Sequence, residues 1–132
     1  ARALAGETHL ARAAERLLEQ GAHAVIIKKG EHGALYHSRD ERFLTPAYPV
    51  VALTDPTGAG DSFAGGFVGL LARYDRADGE VLRQAMACGT AMASLAIESF
   101  SPKRLVETSS DEIEARVTEL HGLVHYDRFR MF

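Results

Sequence analysis

The chain has 132 residues, 46% of them apolar and 25% charged, a balance that fits one packed domain or part of a larger one and excludes global disorder. A total of 15 basic against 18 acidic side chains leaves a net charge of −3, which offers nucleic acid no broad basic surface. No apolar run reaches the roughly 18 residues of an ordinary membrane-spanning helix, and the single cysteine, Cys88, excludes an internal disulfide or a cysteine-rich zinc site. A reduced, cytoplasmic setting with no membrane partner is therefore expected. Trp and Asn are both missing, so there is no N-glycosylation site. The chain opens without Met or a signal-like segment and reads as though cut from something longer.

The opening Ala1–Gly6 is helix-like. From Thr8 to Gln20 the apolar residues Leu10, Ala13, Ala14, Leu17 and Leu18 fall on one helical face, with Thr8 as N-cap and Gly21 as the stop. His23 to Lys29 reads as a strand whose run Ala24-Val25-Ile26-Ile27 suits burial on both faces, and a helix followed by Gly and a strand points to a layered α/β fold. A glycine turn at Gly30 to Gly33 leads to a strand over Ala34–His37, and Ser38-Arg39-Asp40 turns into a further strand over Arg42–Thr45. Pro46 and Pro49 bracket an extended segment that ends at Val50–Leu53. A loop over Thr54–Gly60 precedes a helix from Asp61 to Arg73, and a polar break at Asp75–Gly79 precedes a small-residue helix from Glu80 to Ser99. Ser101-Pro102 begins a new segment, and Ser110 to Leu123 forms the last helix, capped at Ser110 and acidic in its first turn.

The chemistry is concentrated in Asp55-Pro56-Thr57-Gly58-Ala59-Gly60-Asp61-Ser62-Phe63, between an apolar segment and a helix. Gly58 and Gly60 let the backbone turn tightly and approach a ligand. The first N–H groups of a helix have no intrahelical acceptor, so Gly58, Ala59 and Gly60 could present several donors to a phosphate. Asp61 is the odd residue, since a carboxylate repels a phosphate. It fits either as a capping or first-turn Asp, or as a base that takes a proton from an attacking hydroxyl while neighbouring amides hold charge on the phosphoryl oxygens. No Lys follows as a Walker A loop requires, and Phe63 stands where a dinucleotide fingerprint needs its third Gly.

Position by position, Asp55 to Val68 resembles the C-terminal signature of the PfkB, or ribokinase-like, carbohydrate kinases, including the Gly-Ala-Gly-Asp core and the small residues Gly65 and Gly66. Val25 to Gly33 resembles that family's strand and glycine turn at the nucleotide site, Met86 to Ser99 its small-residue helix beside the adenine, and Leu4-Ala5-Gly6 the segment upstream. The resemblance covers nearly all of the chain and weakens after Phe100. It implies a ribokinase-like α/β fold, a Rossmann-like layered sheet with flanking helices. Residues 1–132 would be its C-terminal nucleotide-binding and catalytic-base part, with the N-terminal substrate and lid part absent. A parallel sheet with an exposed apolar edge is then expected.

The resemblance further implies ATP-dependent phosphoryl transfer, with Mg2+, to a hydroxyl of a sugar or nucleoside. Asp61 would be the general base and the Gly58–Gly60 backbone the anion hole. Gly30 and Gly33 would admit the nucleotide, and Lys28, where many members carry Thr, either meets a phosphate or reaches solvent from a strand end. Cys88, Gly89 and Met92 fall where the family lines its adenine pocket, although plain helix packing also explains them. Asp55 and Thr57 resemble positions near the monovalent-cation (K+) site of some members; a turn-stabilising Asp before Pro56 is the competing reading. The Asn-x-x-Glu motif tied to Mg2+ would fall just before Ala1, so the piece alone is expected to be inactive and to need the missing N-terminal part or a second subunit. The alternative is a non-catalytic nucleotide- or anion-binding half-domain that pairs with a partner. His121 and His125, four apart, have metal-ligand spacing but no evident third ligand and read as a surface pair. The aromatic and basic tail from His125 to Phe132 is expected to dock on the domain or on another chain.

Overall fold

A computed structural model describes residues 1–100 and 103–125. The segment start at Ser101-Pro102 and all of the tail except His125 lie outside the described residues. One helical turn, α1 (Arg2–Ala5), ends at Gly6 in the left-handed conformation. Helix α2 (Leu10–Glu19) follows, and its N-cap is His9 rather than Thr8. Buried Ala13, Ala14 and Leu18 form the face that the sequence periodicity marks out.

Strands β1 (Ala24–Lys28), β2 (Ala34–Ser38) and β3 (Arg42–Thr45) pair in that order, both times antiparallel. The expected parallel sheet is therefore not what these strands form. The links over 29–33 and 39–41 are tight turns, and a parallel pair needs a crossover of a dozen or more residues. The register pairs Ile26 with Tyr36 and Tyr36 with Phe43, which puts these three on one face. Tyr36 and Phe43 stack there with ring centroids 4.9 Å apart. On the other face Val25, Ile27 and Leu35 pack against Ala14 and Leu18 of α2. The middle of β1 is thus covered on both sides, while Ala24 and Lys28 at its ends are exposed.

Helices α3 (Ala59–Tyr74) and α4 (Gly79–Ala96) cover the aromatic face through Phe63, Leu82 and Met86. The described chain is therefore three layers: α2, the sheet, and the α3–α4 pair. Burying a Met or Leu side chain fully contributes about 1.5–3 kcal/mol, and Met86, Leu95 and Leu120 are the largest side chains buried to that degree. Close approach of α3 and α4 depends on two glycines. A Cβ at Gly66 would lie 3.0 Å from the Cys88 carbonyl oxygen, and one at Gly89 would lie 2.7 Å from the Phe63 carbonyl oxygen.

Helix boundaries and caps differ from expectation at α3, α4 and the last described helix. Helix α3 starts earlier, at Ala59, because Gly58 takes a φ of 81° and serves as its N-cap. Helix α4 starts at Gly79, where the Asp78 carboxylate accepts from the Val81 amide at 3.2 Å, and stops at Ala96 rather than Ser99. Helix α6 (Ser110–Val124) is capped by Ser109, whose hydroxyl oxygen accepts from the Glu112 amide at 3.2 Å, not by Ser110. A short helix that the sequence pattern does not predict, α5 (Lys103–Glu107), precedes it.

His37 lies in the layer between β2 and α2 and is only 4% exposed. Its Nε2 accepts from Arg42 at 3.1 Å, and its Nδ1 has no partner among the described residues. Burial, and then the neighbouring Arg42 charge, hold its pKa below the ordinary imidazole value, against a smaller opposing effect of Glu15.

Two predictions follow from this packing. Gly89→Ala should destabilise the protein by about 1–3 kcal/mol through overpacking. Gly69→Ala, on the open face of α3 with nothing within 4 Å, should be neutral or stabilise by up to about 1 kcal/mol. Paired thermal unfolding curves distinguish them. Secondly, the unfolded His37 takes up its proton near pH 6.5 and the folded one only at lower pH, so in that window the unfolded state binds more protons. Its contribution is present above about pH 6.5 and is lost on acidification. The drop in melting temperature between pH 7.5 and 5.5 should be smaller in His37→Gln than in the wild type; equal drops would contradict this account.

Candidate active site

The loop before α3 hangs from the end of α4. The amides of Thr54 and Asp55 donate to the Ile97 carbonyl at 2.8 and 3.3 Å, and the Thr54 hydroxyl donates to the Glu98 carbonyl at 3.1 Å. These bonds use carbonyls that a helix end leaves without partners. The Asp55 carboxylate then accepts from the Thr57 amide at 2.9 Å, an Asx-turn closed over Pro56. The Thr57 amide, followed by its hydroxyl, holds the Asp55 pKa below the ordinary carboxylate value. Asp55 and Thr57 thus close this turn on each other.

The turn delivers the chain to Gly58, whose left-handed conformation sets the start of α3. The Ala59 amide donates to the Pro56 carbonyl at a long 3.3 Å, and the Ser62 amide makes a helical bond to Gly58 at 2.9 Å. Between them the amides of Gly60 and Asp61 have no intrahelical acceptor. Asp61 is exposed in this same first turn. Lys28, at the end of β1, extends across to it: its Nζ donates to the Gly60 carbonyl at 3.1 Å and sits 5.8 Å from the Phe63 ring centroid. A cation and free backbone donors thus meet at one helix N-terminus, where the peptide dipoles also favour negative charge.

A groove of about 650 Å3 opens beside this point. Lys28, Gly30 and Gly33 line it from the first strand and its turn, and Ala59, Gly60 and Phe63 from α3. Tyr48 to Val50 and Leu53 form a second wall, and Thr90, Ala93, Ser94 and Ile97 a third. Of the sequence-predicted residues, then, Lys28, Gly30, Gly33, Ala59 and Gly60 share one groove, with Gly58 and Asp61 adjoining them in the chain. Gly33 also has a packing requirement of its own: at φ 77°, a Cβ there would collide with the Thr45 carbonyl and crowd the Ala47 amide.

Cys88, Gly89 and Met92 are not among the groove's lining. They face α3 instead, where a Cβ on Gly66 would meet the Met92 side chain and the backbone of Cys88 and Gly89. The face of α4 turned to the groove carries Thr90, Ala93, Ser94 and Ile97, one helical stripe away. Their i, i+3, i+4, i+7 spacing was the available signal for that face. His121 and His125 stack with ring centroids 5.1 Å apart. No group of three or more His, Cys, Asp or Glu able to hold a metal occurs among the described residues.

The model of the pfkB family of carbohydrate kinases matches residues 1–109. The chain is 35% identical over 94 residues to the aminoimidazole riboside kinase of Salmonella typhimurium, a match that covers 71% of this chain and 29% of that enzyme. The crystal structure of aminoimidazole riboside kinase from Salmonella enterica, complexed with aminoimidazole riboside and an ATP analog, superposes with a TM-score of 0.74 at 29% identity, over 89% of this chain and 39% of that one. A ribokinase from Thermotoga maritima gives a TM-score of 0.72 at 30% identity, over 89% of this chain and 37% of the other. The α/β fold is therefore the ribokinase fold, and the chain spans well under half the length of these relatives.

The thiol of Cys88 is half-buried, and burial pushes its pKa above the ordinary value. Since the thiolate is the reactive form, Cys88 should react with a thiol-specific disulfide reagent at pH 7.5 much more slowly than free cysteine does. Reaction at the rate of the free amino acid would show an accessible thiol and contradict the packing described.

Proposed function

The chain belongs to the pfkB family of carbohydrate kinases, and from that membership we propose that it is the nucleotide-binding and catalytic-base part of a kinase that transfers the γ-phosphoryl group of ATP to a hydroxyl of a sugar or nucleoside. The observation that carries the proposal is the first turn of α3. There an exposed carboxylate, Asp61, shares one helical turn with the unpaired amides of Gly60 and Asp61, and the Lys28 ammonium reaches the same turn at the Gly60 carbonyl. A groove large enough for a nucleoside leads to the same point.

In this reading the adenosine portion of ATP lies along the groove and the phosphates point to the helix N-terminus. Asp61 accepts the proton of the acceptor hydroxyl as its oxygen bonds to the γ-phosphorus. The bond from that phosphorus to the bridging oxygen breaks, and ADP leaves with the electron pair. The free amides, with Gly58 and Ala59 shaping the turn, face the charge on the transferring oxygens. Lys28 can turn from the Gly60 carbonyl to a phosphate, since it is held there by one exposed hydrogen bond. Mg2+, when bound, would supply neutralisation of the phosphate charge. Among the described residues no group of three or more His, Cys, Asp or Glu would hold it. The bond from Thr57 leaves the Asp55 carboxylate further acceptor capacity, and Asp55 with Thr57 would be the residues of this loop to hold K+.

Leu53, in the groove's lining, and nearby Val51 are large apolar side chains left exposed. They favour further protein packed against it, either the remainder of the kinase fold or a second subunit. That requirement also supports the second reading, a half-domain that binds nucleotide or anion without catalysis and pairs with a partner. No helix among the described residues is long and apolar enough to cross a membrane. The proposal places the protein in the cytoplasm and gives it no nucleic-acid role.

Substitution at Asp61 separates the two readings. In the full-length protein, Asp61→Ala should lower kcat by about 10^2–10^4-fold and leave ATP affinity unchanged or slightly higher, because a negative charge has left the phosphate site. Turnover is read by ADP release over a panel of sugars and nucleosides, and affinity by calorimetric titration. A wild type that binds ATP yet phosphorylates nothing on the panel, with an Asp61→Ala variant that binds as well or better, supports the binding module instead.

A further inference from the structure

The family match ends at residue 109, and α6 begins at Ser110. Polar side chains of this last helix nevertheless reach the walls of the groove. Arg116 donates through Nη1 to the Ser94 hydroxyl at 2.7 Å and through Nη2 to the Glu98 carboxylate at 2.6 Å. Its guanidinium carbon lies 4.7 Å from the Tyr48 ring centroid, and the side chain is only 12% exposed. The Tyr48 hydroxyl donates to the carboxylate of Glu119, one helical turn further along α6. Ser94 and Tyr48 both line the groove. Glu98 is shared with Arg104, at 3.5 Å, so the cluster is anchored from α5 as well.

The groove wall that Tyr48 belongs to is otherwise held at its ends, where Gly33 packs closely on Pro46 and Ala47 and Thr54 bonds to Ile97. Residues 46–53 belong to no strand or helix. Within them the Val50 amide donates to the Tyr48 carbonyl at 2.9 Å, a purely local bond. A segment without ladder bonds opens more readily than strands or helices do. What joins this one to the body of the fold at Tyr48 is the ring stacked on Arg116 and the hydroxyl bonded to Glu119. A planar fork that bonds Ser94 and Glu98 while presenting its face to an aromatic ring is a task for Arg that Lys cannot copy.

We propose that Arg116 and Glu119 are positioning residues that clamp Tyr48 and so hold segment 46–53 as a wall of the nucleotide groove, making α6 a determinant of ATP affinity. This rests on the reading of the groove as the nucleotide site. Neither side chain touches reacting atoms. Their effect is on the shape of the pocket, and it belongs in the binding of ATP rather than in the chemical step.

The test uses the full-length protein, with ATP affinity by titration, steady-state kinetics, and amide hydrogen exchange over 47–53. Arg116→Ala removes charge-assisted bonds and should weaken ATP binding about tenfold or more. The KM for ATP should rise, kcat should stay near the wild-type value, and exchange should quicken in 47–53 but not in α3. Arg116→Lys should fail to restore affinity. Glu119→Gln, which keeps an acceptor for the Tyr48 hydroxyl, should be milder than Glu119→Ala. The proposal is overturned by unchanged ATP affinity in Arg116→Ala, or by faster exchange spread through α3 and α4 with kcat falling in parallel, which would mark a general structural role. Faster exchange in 47–53 with ATP affinity intact overturns this inference and leaves the nucleotide reading standing. A wild type that binds no ATP overturns the nucleotide reading, and this inference with it.

Discussion

The distance between α3 and α4 is the constraint on which the rest of the structure depends. Two glycines set it from opposite sides, Gly66 facing the backbone of Cys88 and Gly89, and Gly89 facing the backbone and ring of Phe63. Because interiors are close-packed, neither helix can move away from the other without opening a void, or approach further without overlap. The same contact fixes Phe63, which is both a core residue under the sheet and part of the groove's lining. Since Phe63 lies one turn into α3, the position of the helix's first amides follows from it. The end of α4 adds a second constraint, because Ile97 and Glu98 hold the loop that enters α3. A backbone site at a helix N-terminus needs this kind of support, since its donors are peptide groups and cannot be re-aimed by a rotamer change.

Much of the architecture was legible in the sequence because it rests on local signals. The helical stripe of α2, the glycine turns, and the loop from Asp55 to Asp61 each carry their information within a few residues. What was not legible depended on longer range. The sense of strand pairing was misjudged because the apolar run Ala24–Ile27 looks the same in a parallel strand and in an antiparallel one covered on both faces. The turn at Ser38–Asp40 held the better clue, since three residues can join only antiparallel neighbours. Capping failed at Thr8 and Ser110 by a single position in each case, where two polar residues stand side by side and geometry alone chooses between them.

The candidate site divides along the same line. The family resemblance pointed to the turn of Gly58–Gly60 and to Lys28, Gly30 and Gly33, and the fold brings these positions to one place. It also pointed to Cys88, Gly89 and Met92, which the fold turns toward α3. On a helix made largely of small residues every face looks permissive, and only the partner helix decides which stripe is committed to packing. Tyr48 and Arg116 carried no signal in the sequence, and nothing there joined either of them to Ser94. The three lie in one irregular segment and two helices, and their association appears only once α6 is laid on α4.

Asp61 joins the two halves of the argument, fold and chemistry. At the first turn of α3 its carboxylate gains about 0.3–1 kcal/mol from the helix dipole, which is reason enough for a structural Asp. The cost appears only when an anion arrives, because the same carboxylate then opposes a phosphate held by the adjacent amides. A site selected for static anion binding would do better with a neutral capping residue such as Ser or Asn, which supply the cap without the repulsion. In the proposed kinase reading the conflict is transient. The carboxylate becomes neutral by taking the hydroxyl proton at the moment when charge builds on the phosphoryl oxygens, so the helix terminus carries least negative charge of its own when the substrate carries most. Lys28, already bonded to the Gly60 carbonyl, offsets the repulsion before that moment. The cation, the carboxylate and the free amides are then one device whose parts are favourable together, whereas a bound phosphate facing the ionised carboxylate alone is not.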